Sequence, residues 1–406
     1  MHGFSHRHTV QAALAWLDAQ VRVLDAEVVP LRAAAGRVLA APIVSAVDVP
    51  GFDRATMDGY AVIADSIEGA TPYNRIQLAV VGDAMPGSAF TGSVTAGKAV
   101  RIMTGAPIPP GADAVLPAEF TEREDDSGEP PVIYAISSAS PGKNIGRRGE
   151  DIVNGTVVLE AGRTLRPQDV GVISSIGVHD VPVIRRPRVR LVVTGNELLS
   201  PGTPPRDFKI ADSNGPMLAA LAERDGASVD LPGLVRDDSD AILEGLQAEA
   251  DVVIVSGGSS VGIEDLAPIL VAQHGELAVH GIAMRPSSPT GLGRIGNRLV
   301  FLLPGNPVSA LCAYDFFAGR AIRAAGGLSQ AWPYRAARGT LVRKISSPIG
   351  RLDYARVRMD GTSVEPLSIS GASVLSSTTR ADGFVLVGDD SEGFPAGAEV
   401  DVWLYA

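Results

Sequence analysis

The chain is poor in the residues that build disulfide-rich or zinc-built folds. Cys312 is the single cysteine among 406 residues, so no internal disulfide can form. Its place in an apolar run marks it as a core residue. His2, His6 and His8 crowd one end, and His179, His274 and His280 lack the spacing of zinc ligands. No apolar run approaches the roughly 20 residues that a membrane-spanning helix needs, so no membrane contact is expected. "TVQAALAWLDAQV" (9–21) is interrupted by Asp18 and has no small-residue cleavage site, which argues against a signal peptide. A cytoplasmic location is the expectation. Positive charge is also short: 35 Lys and Arg against 46 Asp and Glu give a net charge of −11. That balance argues against bulk nucleic-acid binding, so any anionic substrate must be met by local groups.

Turn formers are abundant instead. Gly 45 and Pro 29 are spread along the chain and predict many tight turns. Hydrophobic residues at 45% and charged residues at 20% describe a globular protein. The length exceeds what one ordinary core holds, so at least two domains are expected.

Val10, Leu14, Leu17 and Val21 recur at helical spacing, with Thr9 as N-cap. "LRAAAGRVLA" (31–40) predicts a short second helix that Pro42 ends. From 48 to 141, short apolar runs separated by "PGSAFTG" and "APIPPGA" predict a β domain, with a solvated charged loop at 122–131. Residues 142–178 are expected to return to the first helices, which makes 1–47 plus 142–178 a mixed α/β segment and 48–141 an insertion. From 179 to 326 strand-like runs ("VRLVV", "DVVIV", "RLVFLL") alternate with helical ones ("SNGPMLAALAER", "NPVSALCAYDFFAGRAIRAAG"). This predicts a doubly wound parallel sheet with helices on both faces. Residues 327–406 predict a small C-terminal β domain. The fold class is thus a multidomain α/β protein.

Open parallel sheets bind ligands beyond the carboxyl ends of their strands. Four polar or Gly-rich stretches fall there: "TGNEL" after Val193, "RDD" after Val235, "SGGSSVGIED" after Val255, and "LPGNP" after Leu302. Thr194, Gly195, Ser256, Gly257, Gly258, Ser259, Pro304, Gly305, Asn306 and Ser309 are therefore candidate cofactor-binding residues. Taken alone, Asn306 and Pro307 read as a helix cap. The carboxylates Glu197, Asp237, Asp238 and Asp265 could surround a hard cation such as Mg²⁺. Singly, each reads as an exposed loop acid. "GSVTAGKA" (92–99) is one residue short of a P-loop and lacks the Ser or Thr after Lys98. "GFDRATMDGYAV" (51–62) crowds Asp53, Arg54, Thr56 and Asp58 into one loop, which a linker turn does not require.

"FDRATMDGYAV", "RIMTGAPIPPGADAV", "IGRRGEDI", "TGNEL", "SGGSSVG", "LPGNPVSAL", "GRLDYARV" and "SVLSSTTRADGFVLV" stand in that order along nearly the whole chain. In this the sequence resembles the MoeA family and its relative, the gephyrin E domain. The resemblance implies a central MoaB/MogA-like domain and an elongated homodimer. The active site would lie between the α/β domain of one subunit and the "MDGYA" region of the other. The implied reaction is insertion of molybdate into adenylylated molybdopterin with release of AMP and with Mg²⁺. The implied partner is a MogA/MoaB-like molybdopterin adenylyltransferase. It assigns catalytic roles to Asp58, Glu197, Asp237, Asp265 and Arg285, with Asp237 and Asp265 as metal ligands, and substrate contacts to Thr104 and Arg356. The family often carries lysines in a "Lys-Pro-Gly-Lys-Pro" run and four residues before it. Here the run is "RPSSP": Arg285 keeps one charge, while Ser288 and Gly281 lose two. Asn196 and Ala372 stand where an aspartate and a serine are common. Two alternatives stay open: a non-catalytic pterin-binding or scaffold relative, and a nucleotide pyrophosphatase of the competence-damage-inducible type.

Overall fold

The computed structural model describes residues 7–123, 130–257, 266–368 and 373–405. The chain forms two compact units, Val28–Pro182 and Met1–Glu27 with Val183–Ala406.

The larger unit is built on a seven-stranded sheet. Ser228–Asp230, Arg188–Thr194, Val252–Ser256 and Arg298–Leu303 run parallel, with Leu234–Val235 beside the second of them. Every residue of Val252–Ser256 is buried, because helices cover both faces of a parallel sheet. Alternate side chains feed two cores. Val189, Leu191, Ile254 and Phe301 meet Val10, Ala13 and Leu17 of the first helix, Val10–Gln20, and Leu218 of Asn214–Arg224. Val192, Val253, Val255 and Val300 meet Ile242 and Leu246 on one helix and Leu270 and Val271 on another. The sheet is not wholly parallel. Gly291–Ile295 and Glu276–His280 add two antiparallel strands at one edge. They escape the sequence pattern because Gly291 and Gly293 carry no side chain to show alternation.

The long helix expected after Asn306 is interrupted. Pro307–Ala313 gives way to a π-turn, Tyr314–Ala318, before Gly319–Ala325 resumes. Such turns admit an extra residue and rotate the next helical segment about its axis. Here the turn buries Asp315 in a polar cluster. The Tyr334 hydroxyl donates to Asp315 Oδ1 at 2.8 Å, and the Arg224 guanidinium lies 3.7 Å away. Asp225 accepts from Tyr314, Arg323 and Arg224 at 2.9, 2.8 and 3.1 Å. Among the described residues Asp315 Oδ2 has no partner.

The C-terminal part closes into a small β barrel. Leu352–Asp360, Ser363–Ser368, Arg335–Leu341, Glu399–Leu404 and Gly383–Val387 are neighbours in that order, and the last pairs back with the first. The short strand Met284–Arg285, which leaves the α/β sheet, pairs in parallel with Leu352 and Asp353. Trp332, Tyr334, Phe384 and Trp403 pack edge-on where the barrel meets the π-turn.

The smaller unit centres on a six-stranded mixed sheet: Ala114–Pro117, Gly59–Val62, Lys98–Ile102, Ile76–Ala84, Val132–Ala135 and Thr121–Arg123. The short helix expected over 31–40 is reduced to a single 3-10 turn, Leu31–Ala33. Gly36 takes a positive φ of 76°, and Gly36 and Leu39 donate instead to Leu165 and Arg163. Backbone pairing with a distant segment thus overrides local helix preference. Lys98 is followed by a strand, so "GSVTAGKA" is no phosphate loop.

Burial pushes the Asp315 carboxyl up to about 7. An unfolded carboxyl titrates near ~4. Between these values the folded state holds a proton that the unfolded chain has released. Stability therefore falls as pH rises through that window and levels off above it. Asp315→Asn should remove this slope while keeping an oxygen for Tyr334. We expect the variant to gain roughly 1–3 kcal/mol on the parent between pH 5 and pH 8. Urea unfolding of both proteins at the two pH values checks it, and parallel curves would refute it.

Candidate functional site

The carboxyl ends of three sheet strands meet at one edge. Thr194, buried at the end of Arg188–Thr194, donates through Oγ1 to Asp237 Oδ1 at 3.0 Å. That bond fixes one oxygen of Asp237. Glu197 folds its carboxylate over Gly195, within about 3 Å of where a Cβ would stand there. Ser256 closes the central strand. Its hydroxyl accepts from Asn214 Nδ2 at 2.9 Å, and the same amide donates to the Gly305 carbonyl at 2.8 Å. Asn214 thus ties the ends of two neighbouring strands together. Asp212 Oδ1 accepts the backbone N–H of Asn214 and Gly215, both at 2.9 Å, and so caps the helix start. Among the described residues Asn214 Oδ1, in a side chain more than nine-tenths buried, has no partner.

Gly257 adopts a φ of 99°, and a Cβ there would lie 2.0 Å from the Thr194 carbonyl oxygen. Only glycine fits. At Gly305 the nearest atom to such a Cβ is the Gly257 Cα at 3.8 Å, an ordinary contact. Gly258, Ser259 and Asp265 lie outside the described residues.

Beside this edge runs a cleft of about 690 Å³. Pro304, Asn306 and Ser309 form one wall; Arg285, Ser287 and Ser288 form another, with Arg7 and Arg351 also lining it. Asn306 does not cap Pro307–Ala313 with its side chain, contrary to the simple cap reading. That helix start is closed by backbone alone, which leaves the amide facing the cleft. Ser287 is a non-glycine residue at a φ of 92°, held there by its hydroxyl on the Ser309 carbonyl at 2.6 Å. Strain of this kind persists only where the surroundings enforce it. Asp353, fully buried beneath the cleft, accepts from Arg285, from Arg351 at 3.1 Å and from the Ser347 hydroxyl at 2.8 Å. Among the described residues, Arg285 Nε and Ser288 Oγ are buried without a partner.

Arg356 is not in this cleft. It is buried on the strand Leu352–Asp360, its charge felt by buried Cys312. The remaining candidates lie in the other unit. Asp58 Oδ1 accepts both the N–H and the hydroxyl of Thr104 at 2.7 Å, and these bonds hold its carboxyl below the usual range. Asp53 is likewise lowered by the Arg148 N–H and the Arg147 guanidinium. The crowded loop therefore has structural partners for its acids, while Asp58 still faces a hollow of about 220 Å³ with Arg101 and Arg123.

Asp212, Asn214, Arg7 and Arg351 were missed by sequence reasoning. "DSN" before a helical run is a capping signal that could have pointed to the first two. Nothing local marks Arg7, while Arg351 lies in "GRLDYARV", where the resemblance singled out Arg356 instead. Among the described residues no helix is long and apolar enough to cross a membrane.

The architecture defines a class: a multidomain α/β protein with a polar strand-end edge and a terminal barrel. Residues 8–177 match the MoeA N-terminal region (domain I and II), 190–324 the probable molybdopterin binding domain, and 338–405 the MoeA C-terminal region (domain IV). The chain is 37% identical over 388 residues to molybdopterin molybdenumtransferase 2 of Mycobacterium tuberculosis, covering 92% of this chain and 94% of that one. It is 32% identical over 404 residues to molybdopterin molybdenumtransferase of Staphylococcus aureus, covering 97% and 95%. The crystal structure of the molybdopterin biosynthesis MoeA protein from Pyrococcus horikoshii superposes with a TM-score of 0.83 at 32% identity, covering 99% of this chain and 100% of that one. The chain belongs to the MoeA family.

Gly257→Ala should displace the Thr194 carbonyl and with it the hydroxyl that orients Asp237. We expect it to destabilise the unit by at least about 2 kcal/mol and to abolish molybdopterin binding. Gly305→Ala should leave both within about twofold of the parent. Denaturant melts and fluorescence titration with molybdopterin check the contrast; equal effects would show that the close approach is not limiting.

Proposed function

We propose that this chain is a molybdopterin molybdenumtransferase, inserting molybdate into adenylylated molybdopterin with release of AMP in a Mg²⁺-dependent reaction. The observation that carries the reading is a shared wall. Pro304, Asn306 and Ser309 line the arginine cleft, and Gly305 between them is bound by the amide that also holds Ser256 at the strand ends. On this reading the strand-end edge would bind phosphate and the adjoining cleft an oxyanion, as a reaction between a nucleotide-bearing pterin and an oxyanion requires. The Thr194, Ser256 and Gly257 ends would take the phosphates, through hydroxyls and backbone N–H groups. Arg285 would hold molybdate.

Asp237 offers hard oxygen donors, one of them already oriented by Thr194, and this suits Mg²⁺. Among the described residues no group of three or more His, Cys, Asp or Glu could hold an ion together. The donor set therefore fits a cation that keeps water and substrate phosphate in its shell, as Mg²⁺ does, with Asp265 as the second carboxylate of the proposal. When bound, the ion would neutralise phosphate charge as the AMP bond breaks. Glu197 remains as a candidate proton acceptor beside Gly195.

The homodimer belongs to the same proposal. Val47, Phe52, Met57 and Val153 are exposed on the smaller unit, and Phe52 and Met57 belong to the loop that carries Asp58. Burying them in a second subunit would bring that loop to a neighbour's strand-end site. A MogA/MoaB-like adenylyltransferase would supply the adenylylated pterin.

Turnover of adenylylated molybdopterin with molybdate tests the reading: stoichiometric AMP release with metal insertion is expected. Binding without AMP release would favour the scaffold alternative, and hydrolysis of other dinucleotides the pyrophosphatase. Within the assay, Arg285→Ala should raise the KM for molybdate at least about tenfold, since charge-assisted bonds to a ligand are worth roughly 1.5–3 kcal/mol. Arg356→Ala should lower thermal stability without raising that KM, because its guanidinium is buried in the core and does not line the cleft. The reverse pattern would move the anion site away from the cleft.

A further inference from the structure

We propose that Arg7 and Arg351, drawn from two segments far from the "RPSSP" run, are oxyanion-binding residues that act with Arg285. The proposal rests on the cleft reading above and concerns which residues supply its charge.

Among the described residues the cleft carries three guanidiniums and no acid on its surface: Arg7, Arg285 and Arg351 line it. Among the described residues the one carboxylate in contact with them is Asp353 beneath. Its two oxygens are divided between the two arginines, Oδ2 taking Arg285 and the Ser347 hydroxyl, and Oδ1 taking Arg351 Nε. Each guanidinium is thus anchored through part of its donor fork, and the remaining N–H groups stay available. Counting formal charges, three arginines less one aspartate leave two positive charges, the match for a tetrahedral dianion. The unpartnered Arg285 Nε and Ser288 Oγ on the same wall are the donors that such an ion would satisfy.

Arg7 reaches the cleft through backbone pairing. His8 N–H donates to the Gly281 carbonyl at 3.0 Å, and Ala283 N–H donates to the His8 carbonyl at 2.8 Å. The segment ahead of the first helix is therefore laid along Gly281–Ala283. Gly281 is a position that brings no charge of its own, and the pairing sets Arg7 beside it. Arg351 arrives from the barrel, on the turn before Leu352–Asp360. The charge is assembled by tertiary structure rather than by one run.

The test uses the full chain and inorganic molybdate, with equilibrium dialysis across a salt series and sulfate as competitor. Arg7→Ala and Arg351→Ala should each weaken molybdate binding about tenfold, and each should flatten its salt dependence. Arg7→Lys should restore most of the loss, since a point charge suffices at an exposed position. Arg351→Lys should restore less, because the fork on Asp353 is lost. In turnover, the KM for molybdate should rise with little change in kcat. If Arg285→Ala loses molybdate but the Arg7 and Arg351 variants bind like the parent, the inference falls while the cleft reading stands. If all three bind like the parent, the cleft reading itself falls. A lowered melting temperature in Arg351→Ala, with Arg7→Ala unaffected in binding, would make Arg351 a purely structural residue and overturn the inference too.

Discussion

The buried carboxylate of Asp353 is the contact on which the cleft depends. A charge with no solvent exposure is tolerable only when paired, and breaking such a pair costs roughly 3–5 kcal/mol. Arg285 and Arg351 supply the pairing from opposite sides of a junction. Arg285 sits on the short strand leaving the α/β sheet, and Asp353 faces it in register on the first barrel strand. The same bond that neutralises the acid therefore fastens the barrel to the sheet. It also orients two guanidiniums toward the opening. If the cleft takes the proposed anion, stability and ligand binding are served by one set of atoms, and substitutions at this point must be read through both.

The strand-end edge obeys a different logic. Its donors are backbone groups, hydroxyls and an amide, and its precision comes from close approach. Gly257 lies against the Thr194 carbonyl, and Asn214 spans two strand ends. A charged residue would serve poorly there, because the space admits no side chain. Charge is therefore held back to the neighbouring cleft and to Asp237 and Glu197. Under the proposed function, the division would let one ligand be gripped by shape and neutral donors and a small anion by charge.

Much of this was legible in the sequence. The β-branched runs with polar or Gly-rich turns after them pointed to the α/β alternation, and the strand-end rule singled out Thr194, Ser256, Gly257 and Asn306, all of which lie at the edge or the cleft. The features that escaped were non-local. The antiparallel strands at Gly291–Ile295 and Glu276–His280 hide behind glycines and a short apolar run. The π-turn at Tyr314–Ala318 has no marker in a sequence that reads as continuous helix. The helix expected at 31–40 yields to pairing with Arg163 and Leu165, residues far along the chain. Arg356, which the family resemblance made a ligand contact, is buried in the core, where strand alternation turns it toward Cys312.

The apparent deficit at "RPSSP" shows why a run of residues is the wrong unit for counting charge. Read along the chain, two positive charges are missing and the site looks weakened. Read in space, Arg7 and Arg351 stand in the same cleft, and among the described residues no acidic side chain lines it. Against a net charge of −11 for the whole chain, such a local excess concentrates the field where an anion must enter. Arginine suits this arrangement better than lysine. One part of its planar fork can hold Asp353 while another faces the ligand, whereas an ammonium presents a single compact charge. Anchoring by a buried acid fixes the direction of the free donors before any ligand arrives, which lowers the ordering cost of binding. A site assembled this way can lose the charges of its own loop and keep its sign, provided that the fold still brings the other segments to it.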